Sequence, residues 1–341
     1  MLPPRSDLVK FILAVVPGAE IAPILGDAST RRFFRLLVPS GPSWIVMDYG
    51  APFEGETDDI RMWRIFSEAG LPVAGVIRVS PETGCLLLED LGSQTMESAL
   101  HDIRSSGDSE PERERRIRDL YRQAVTLAVA VAERGTPVLA RSERARGPAL
   151  DRDRFRFEMD FFVEHYVRGL RGISAPSRLL VEELWRLADL TAESGPRVLC
   201  HRDFHSRNLM LRPDGSLAMV DIQDARWGPD TYDLAALLRD AYVDVPDGLV
   251  EEMLDLYRDS SPGSGRNSDF RARFDVVSAQ RMLKALGTFA YQTRVLGRDR
   301  YREGIPRTLG RLAGLLPRLA STRALHGLLL EADLMTAPSA P

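Results

Sequence analysis

Residues 200–224 contain the polar side chains whose types and order best suit a single kind of chemistry. The segment begins CHRDFHSRNLM and ends, after a strand-like run and a PDGS turn, in VDIQD. Asp203 provides a carboxylate that can orient an attacking hydroxyl and accept its proton. Asn208, five positions later, and Asp221 provide oxygen atoms of the kind that Mg²⁺ binds when it is held on phosphates. This constellation predicts phosphoryl transfer, with Asp203 catalytic and Asn208 and Asp221 as metal ligands.

Three residues near Asp203 are expected to support the structure of the loop. Short motifs such as H-x-D recur by chance, so the prediction depends on the whole spacing rather than on one match. We predict that His201 supports the loop backbone instead of taking part in the chemistry. The same supporting role is expected of His205 and Arg202, and Arg202 is in addition a candidate for a phosphate or substrate contact.

The composition places the chain among ordinary globular proteins. It has 341 residues, of which 44% are hydrophobic and 28% charged, and a formal net charge of −4. That charge gives no general attraction to nucleic acid or to an anionic membrane. No apolar run reaches the roughly 18 residues of a membrane span, and no cleavage site follows the short apolar stretch near the start. We therefore expect a cytoplasmic protein without nucleic-acid or membrane partners, and we expect a monomer.

Cysteine and lysine are both scarce in this chain. Cys85 and Cys200 lie in apolar runs and are predicted to be buried thiols rather than a disulfide. Only two of the 45 basic residues are lysines, Lys10 and Lys284. A side chain that binds phosphate is therefore expected to be an arginine, with backbone N–H groups as the alternative.

The first part of the chain predicts a small β-rich lobe. Residues 32–38 and 43–49 are rich in aromatic and β-branched side chains and are separated by a PSGP turn, which favours a hairpin. Residues 56–69 have apolar side chains at helical spacing. Two further strands are predicted at 76–79 and 85–88. This N-lobe is predicted to comprise residues 1–91.

Helices dominate the rest of the chain. Seven segments are predicted to be helical. They are 113–134, 151–169, 177–193, 230–243, 247–259, 270–297 and 306–332. Short strand-like runs surround the polar loop within 198–221. We predict a mainly helical C-lobe over residues 92–341 that carries the catalytic loop, the metal ligands and the substrate site, which gives an α+β, bilobal outline.

Five stretches of the sequence carry a family resemblance. They are GDASTRRFFRL at 26–36, VMDYGAP at 46–52, LLLEDLG at 86–92, HRDFHSRNLM at 201–210 and DIQDARWGPDTYDLAALLRDAY at 221–242. In this order they resemble the aminoglycoside phosphotransferase/choline kinase superfamily, whose members share a protein-kinase-like fold. Within it, the resemblance is strongest to the anomeric kinases of N-acetylmuramate and N-acetylglucosamine in bacterial cell-wall (peptidoglycan) recycling.

The resemblance implies that the GDASTRRF stretch is the nucleotide-binding loop. From the residues themselves, small side chains in this loop let backbone N–H groups approach a phosphate. One glycine is too few for a G-x-G-x-x-G motif, and an ordinary hairpin turn with solvated arginines remains the alternative. The residues assigned to nucleotide binding here are Gly26, Ala28, Ser29, Arg31 and Arg32.

Two further assignments follow from the resemblance. LLLEDLG resembles the hinge between the lobes, where backbone groups around Glu89 and Leu91 would bind adenine. Asp233 lies at the start of a helix in the YDLA segment, and the sequence leaves two alternative roles for it. It either supports the catalytic loop or is an acid facing the positive end of the helix dipole.

Candidates for the substrate wall come from two regions. The aromatic and acidic helix RFRFEMDFFVEHY at 154–166 contains Glu158, and the DIQDARW segment contains Asp224 and Trp227. Together with Arg202, these residues are predicted to contact the substrate. The four phenylalanines of the same helix are expected to be core residues instead.

One position departs from the family pattern. Most kinases of this fold place a lysine on the strand that corresponds to WIVMDY, where it pairs with the α- and β-phosphates. Met47 stands at that position. The departure raises the alternative of a catalytically inactive, nucleotide-binding module that regulates a partner. The presence of Asp203, Asn208 and Asp221 favours an enzyme.

The sequence thus predicts an ATP- and Mg²⁺-dependent kinase. By resemblance, it phosphorylates the anomeric hydroxyl of N-acetylmuramate or N-acetylglucosamine and yields the sugar 1-phosphate. The main alternative is another hydroxyl kinase of the same superfamily, acting on an aminoglycoside, choline or a different sugar.

Overall fold

The structure, a computed structural model, contains two compact units. It describes residues 3–24, 31–39, 41–143, 147–261 and 269–337. The first unit comprises Met1–Gln94 and Met210–Gln223, and the second comprises Thr95–Leu209 and Asp224–Pro341. The segment that follows the catalytic loop thus groups with the first unit, whereas the sequence prediction places it in the range of the second lobe.

The first unit is built on an antiparallel sheet with two helices. Its elements are α1 (Ser6–Val15), β1 (Glu20–Ile24), β2 (Arg32–Leu37), β3 (Trp44–Asp48), α2 (Asp58–Glu68), β4 (Val76–Ser80) and β5 (Cys85–Glu89). The five strands follow the order β1-β2-β3-β5-β4. Every neighbouring pair is antiparallel, so hairpins and short connections suffice to link them.

Apolar side chains of α1 pack on this sheet. Leu8 and Ile12 lie one helical turn apart and are buried. Their partners alternate along the strands, because successive strand residues point to opposite faces. The strand members of this core are Phe34, Leu36, Val46, Cys85 and Leu87. The predicted burial of the Cys85 thiol is therefore confirmed.

The predicted elements of the first unit are confirmed with limits that differ by no more than two residues. α1 and β1 are absent from the sequence prediction. The nearly continuous apolar run of α1 hides its helical period. β1 contains Pro23, which has no N–H for a ladder and is tolerated because β1 is an edge strand.

Helices form most of the second unit. They are α3 (Met96–Ser105), α4 (Glu110–Ala130), α5 (Thr136–Arg141), α6 (Arg152–Phe162), α7 (Arg178–Ala192), α8 (Tyr232–Leu238), α9 (Asp247–Ser260), α10 (Phe270–Arg294), α11 (Gly304–Leu315) and α12 (Arg323–Glu331). α10 is buried over most of its length and packs against α6, α7, α8 and α11. It is therefore the central helix of this unit.

Short strands frame the loop 201–208, which contains Asp203 and Asn208. β6 (Arg197–Cys200) leads into it, and Cys200 is buried as predicted. β7 (Leu209–Leu211) and β8 (Leu217–Met219) pair around the PDGS turn. β9 (Arg226–Pro229) then pairs antiparallel with β6. The loop is thus fixed at its start by a strand whose partner comes from further along the chain.

One predicted helix is wrong as a continuous element. The segment 306–332 forms two helices, because α11 ends at Leu315 and short 3₁₀ turns precede α12. Pro317 explains the break, since it lacks the N–H that a continuing helix would need. The other predicted helices are confirmed, with shorter limits for α8. The segments predicted at 113–134 and 151–169 end in π-helical turns that follow α4 and α6, at Val131–Gly135 and Val163–Leu170. Among the described residues, no helix has both the length and the apolar character needed to cross a membrane.

Candidate active site

The loop after β6 presents Asp203 from an uncommon backbone conformation. Arg202, immediately before it, has a φ of 81°, in the left-handed region that residues with side chains rarely adopt. The carboxylate of Asp233, on α8, accepts the backbone N–H of His201 at 2.6 Å and that of Arg202 at 2.9 Å. Both hydrogen bonds are buried. Asp233 therefore holds the turn that places Asp203, and His201 is enclosed beside it.

Two further contacts fix the remainder of the loop. Asp240 accepts the buried backbone N–H of Ser206 at 2.9 Å. The amide nitrogen of Asn208 donates to the carbonyl oxygen of Asp203 at 2.9 Å. The second bond leaves Oδ1 of Asn208, the atom that Mg²⁺ would take, without a protein donor in the part of the chain that the structure describes.

Three cations act on the Asp203 carboxylate. Nζ of Lys284 lies 3.3 Å from Oδ1 of Asp203, and the guanidinium groups of Arg202 and Arg281 add to the positive potential. Burial alone would raise the pKa of Asp203. The three cations outweigh burial and hold this pKa well below its usual range. Asp203 is therefore ionised at physiological pH and can accept a hydrogen bond from a hydroxyl.

Lys284 and Arg281 are site residues that sequence reasoning missed. Both lie on α10, about one turn apart, and Lys284 is 81 residues from Asp203 in the chain. Arg281 donates to the carbonyl of Arg202 at 2.9 Å, and its guanidinium lies 4.3 Å from the centre of the Tyr232 ring. The one available signal was the rarity of lysine, because helical periodicity does not tell which loop a helix packs against.

Three of the four predicted substrate residues lie together. Arg202 forms an ion pair with Asp224 at 3.1 Å and lies 3.8 Å from a carboxylate oxygen of Glu158. Glu158 is buried and accepts a hydrogen bond from Gln280 at 2.9 Å. The two carboxylates balance the guanidinium charge, so this cluster fixes Arg202 within the loop. Trp227, the fourth residue, lies half-buried on β9.

The phenylalanines of α6 divide between core and surface. Phe155 and Phe162 are fully buried, as the sequence predicts. Phe157 is 55% exposed, so the prediction that it is a core residue is wrong. The helical period explains the difference, because Phe157 lies two residues from Phe155 and so points to another side of the helix.

In the first unit, Arg31 meets an acid from helix α2. Its Nη2 lies 2.8 Å from Oδ2 of Asp59, and its guanidinium carbon is 5.5 Å from the centre of the Tyr49 ring. The Tyr49 hydroxyl donates to Asp59 at 2.8 Å. Burial raises the pKa of Asp59 in spite of Arg31, and the charge of Asp221 adds to the rise. Asp221 is thus close enough to act on this pair.

The Arg31–Asp59 pair has the chemistry of the lysine–glutamate pair of protein kinases, in which a strand cation meets a helix acid. Here the cation comes from the residue before β2 rather than from β3, where Met47 is buried in the core. Sequence reasoning missed Asp59, because an acid in the first turn of a helix is also expected as a partner of the helix dipole.

Arg32 has a different partner from its neighbour. Its Nη2 lies 2.6 Å from Oδ2 of Asp48, and Arg5 binds the other carboxylate oxygen at 3.0 Å. Asp48 is fully buried. Burial would raise its pKa, but the N–H of Gly50 and the two arginines lower it below the usual value. The contact ties β2 to β3 and gives Arg32 a structural role.

Asp221, like Arg202, has a left-handed backbone conformation. Its φ is 64°, and it is one of three non-glycine residues with positive φ among those described, with Arg202 and Asp333. Such conformations cluster at functional sites, because the surrounding structure must compensate their cost. Gln223 donates to Oδ1 of Asp221 at 2.5 Å, and the side chain is exposed. The other carboxylate oxygen is available to a ligand.

The predicted hinge follows β5. The backbone N–H of Glu89 donates to the carbonyl of Gly75 at 2.8 Å, and the Glu89 side chain accepts the N–H of Gly75 at 3.0 Å. Leu91 is buried, and its backbone N–H has no partner within the described ranges, so this donor is available to a ligand. The small residues of the predicted nucleotide loop lie outside the described residues: Gly26, Ala28 and Ser29.

The oxygen atoms suited to a metal are those of Asn208 and Asp221. In the described part of the chain, no three His, Cys, Asp or Glu side chains gather into a metal-binding group. Mg²⁺ in phosphoryl-transfer enzymes needs fewer, since one or two protein ligands are completed by phosphate and water. The amide oxygen of Asn208, in the second unit, and one carboxylate oxygen of Asp221, in the first, each lack a competing donor among the described residues, and both are of the type that Mg²⁺ takes as ligands.

The fold and these residues define a phosphotransferase with a protein-kinase-like fold. The second unit presents an ionised carboxylate among cations, and the first presents an arginine–aspartate pair near an exposed aspartate. The chain belongs to the phosphotransferase enzyme family, whose family model matches residues 20–267. The family match confirms the predicted superfamily and the enzyme class, a kinase with a hydroxyl acceptor.

Similar proteins agree with this assignment. The chain is 32% identical over 301 residues to the N-acetylmuramate/N-acetylglucosamine kinase of Pseudomonas aeruginosa, covering 86% of this chain and 82% of that protein. It is 29% identical over 320 residues to the kinase of the same name from Neisseria meningitidis, covering 89% and 88%. A choline/ethanolamine kinase family protein from Mesorhizobium loti has a TM-score of 0.59 at 18% identity, covering 95% and 99%. The structural likeness confirms the predicted α+β, protein-kinase-like fold.

Proposed function

We propose that this protein transfers the γ-phosphoryl group of ATP to the anomeric hydroxyl of N-acetylmuramate or N-acetylglucosamine, giving the sugar 1-phosphate. The observation that carries the proposal is the 32% identity, over most of both chains, to a kinase named for these two sugars. The setting we propose is the cytoplasm, in the recycling of cell-wall sugars. Asp203, Asn208 and Asp221 are the residues assigned to the chemistry.

The electrostatics of Asp203 suit an anomeric acceptor. The three cations that lower its pKa also make it a weak base. Proton transfer to a weak base is easiest from an acidic hydroxyl, and an anomeric hydroxyl is more acidic than an ordinary alcohol. In this role Asp203 orients the hydroxyl and receives its proton as the new oxygen–phosphorus bond forms.

The nucleotide is assigned to residues of the first unit. The free backbone N–H of Leu91 suits a ring nitrogen of adenine. Arg31 supplies a planar cation that can bind two phosphate oxygens at once, with Asp59 holding it in place. Arg32 is the second arginine proposed for this loop, although its contact with Asp48 already has a structural purpose.

Mg²⁺, when bound, neutralises the charge that develops on the phosphates during transfer. Asn208 and Asp221 are proposed to hold it, on the basis of their residue types and order in the chain. Replacing Asp221 by Ala is expected to weaken the Mg²⁺ dependence of activity more than replacing Asn208 by Ala, since the carboxylate carries a full charge. A wild-type magnesium titration in the Asp221→Ala variant would show that the ligand assignment is wrong.

The acceptor assignment is tested with the two sugars and their borohydride-reduced alditols, which lack an anomeric centre. Purified protein is incubated with Mg·ATP and each compound, and the products are identified by phosphorus NMR. We expect turnover of the unreduced sugars alone. The product should be acid-labile, with its phosphorus coupled to the anomeric proton.

Each other outcome points to a different function. Turnover of the alditols, or an acid-stable 6-phosphate, would reject the anomeric site and leave a sugar kinase. Turnover of choline or an aminoglycoside, included as controls, in place of the sugars would identify another member of the superfamily. Binding of Mg·ADP without turnover of any acceptor would favour a regulatory module.

A further inference from the structure

The second unit contains a single lysine, and it lies at the catalytic carboxylate. Lys284 projects from α10 to within 3.3 Å of Oδ1 of Asp203. Its side chain is only 19% exposed. A largely buried ammonium is costly unless its N–H groups find partners. Because burial of this charge is costly, further hydrogen-bond partners are expected for the ammonium group.

The hydrogen bonds of Lys284 are incomplete. An ammonium has three N–H donors, and the bond to Asp203 uses one of them. No other hydrogen bond of the ammonium is formed with the described residues. The 3.3 Å separation also exceeds the roughly 2.7–2.9 Å of a saturated charge-assisted hydrogen bond. Two donors are thus available to a ligand that binds beside Asp203.

The space beside Lys284 can accept such a ligand. A cavity of about 120 Å³ is lined by Asp203 and Lys284 together, with Tyr242 and Thr288 also at its wall. Arg281, one turn earlier on α10, does not compete for the ligand in the same way, because it donates to the Arg202 carbonyl and covers the Tyr232 ring. Arg239 and Arg281 also line this cavity, and Lys284 is the lining cation whose nitrogen lies against the Asp203 carboxylate.

We infer that Lys284 is a second catalytic residue, which donates to the oxygens of the phosphoryl group while that group passes to the acceptor held by Asp203. The inference rests on the proposed kinase function. In the step, the bond from phosphorus to the leaving oxygen of ADP breaks as the acceptor oxygen bonds to phosphorus. The acceptor proton goes to the Asp203 carboxylate, and Lys284 keeps its protons. Its positive charge stabilises the negative charge on the phosphoryl oxygens, where preorganised donors act most strongly.

The chain offers a matched control for testing this role. Lys10, the other lysine, is exposed on α1. Lys284→Met is expected to lower kcat by about 10²–10³-fold, the usual loss when one such donor is removed. KM for ATP and for the acceptor should stay within about threefold, since the interaction forms mainly in the transition state. Lys10→Met should match the wild type in all three parameters.

A second measurement separates direct contact from positioning of Asp203. Aluminium fluoride with Mg·ADP imitates the phosphoryl group in transfer, and its affinity can be measured without an acceptor. We expect Lys284→Met to lose this affinity at least tenfold while binding Mg·ADP normally, and Asp203→Asn to retain it. Equal losses of aluminium fluoride affinity in both variants would make Lys284 a positioning residue and overturn the inference. Wild-type affinity in Lys284→Met would show that Lys284 does not contact the phosphoryl group.

A third variant covers the case in which Lys284→Met fails to fold. Lys284→Cys can be converted with 2-bromoethylamine to a side chain that again ends in an ammonium, while Cys85 and Cys200 are buried. Recovery of at least a tenth of wild-type kcat on conversion supports the inference, and no recovery in a folded, converted protein contradicts it. If the wild type phosphorylates no acceptor, the proposed function fails, and the acceptor-free aluminium fluoride measurement still decides the role of Lys284.

Discussion

Asp203 has an electrostatic environment that limits the kind of base it can be. Lys284, Arg202 and Arg281 lower its pKa, so the carboxylate attracts a proton only weakly. In the proposed function its contribution is mainly to orient the acceptor, because phosphoryl transfer depends chiefly on position and charge stabilisation. Removing the carboxylate should therefore affect the transition state more than nucleotide binding.

We predict that Asp203→Asn lowers kcat by about 10²–10⁴-fold, the range for loss of a positioned base. Affinity for Mg·ADP should change by less than about threefold. Steady-state kinetics and calorimetric titration measure the two quantities. Asp214→Asn, in the exposed PDGS turn, is the control. Near-normal turnover by Asp203→Asn would exclude this carboxylate from the mechanism.

The two neighbouring arginines of the first unit should respond differently to replacement. Arg31→Ala is expected to raise KM for ATP at least tenfold, because it removes the cation held by Asp59. Asp59→Asn should raise the same KM, and the double variant should be little worse than Arg31→Ala, because the two residues act as a pair.

Arg32→Ala is the matched comparison. It leaves the buried Asp48 with one arginine, so we expect a loss of about 1–3 kcal/mol in the free energy of unfolding. KM for ATP should change less than in Arg31→Ala. Urea unfolding and steady-state kinetics on both variants measure this contrast. A larger KM effect in Arg32→Ala would exchange the roles assigned to the two arginines.

At the scale of elements, α8 and α10 determine the shape of the catalytic loop. α8 supplies Asp233, which receives two backbone N–H groups of the loop. α10 supplies Arg281, which donates to the Arg202 carbonyl, and Lys284, which donates to the Asp203 carboxylate. A left-handed residue such as Arg202 is stable here because bonds from both helices surround it.

We predict that Asp233→Asn both destabilises the protein and slows catalysis. An amide side chain has a single acceptor oxygen, so one of the two buried N–H groups loses its partner at a cost of about 1–3 kcal/mol. The relaxed turn should lower kcat more than tenfold with little change in KM for ATP. Thermal unfolding and kinetics check both effects. Unchanged kcat with lowered stability would limit Asp233 to a structural role.

For the whole molecule, the two units are assigned to different ligands. Leu91, proposed for adenine, and Arg31, proposed for the phosphates of the nucleotide, lie in the first unit, whereas the residues proposed for the acceptor and for the phosphoryl group in transfer lie in the second. Ligand binding slows amide hydrogen exchange where it orders or covers the backbone. The two ligands should therefore protect different parts of the chain.

We predict that Mg·ADP slows exchange in peptides covering 31–37 and 85–91. N-acetylglucosamine should slow exchange in peptides covering 201–208 and 281–288. Hydrogen exchange read by mass spectrometry measures both patterns, with sorbitol as the control for a non-specific polyol effect. Protection by Mg·ADP confined to the second unit would contradict the nucleotide assignment.

The sequence by itself determined the class of chemistry and most local elements. Asp203, Asn208 and Asp221 stand out because their spacing within one short segment is a local property that a reader of the sequence can recognise. The β2–β3 hairpin and helix α2 follow from apolar periodicity and turn residues in the same way. The break between α11 and α12 at Pro317 is also a local effect that the sequence contains, although the sequence prediction did not include it.

Only the tertiary structure decided which distant residues lie beside those recognised in the sequence. Lys284 reaches Asp203 across 81 positions of the chain, and Asp59 pairs with Arg31 across a hairpin and a loop. Periodicity identifies which face of a helix is buried, but it does not specify the loop or strand against which that face packs. The packing of α10 and α2 therefore determines where these charges lie, because ion pairs form wherever the folded backbone brings opposite charges within a few ångströms.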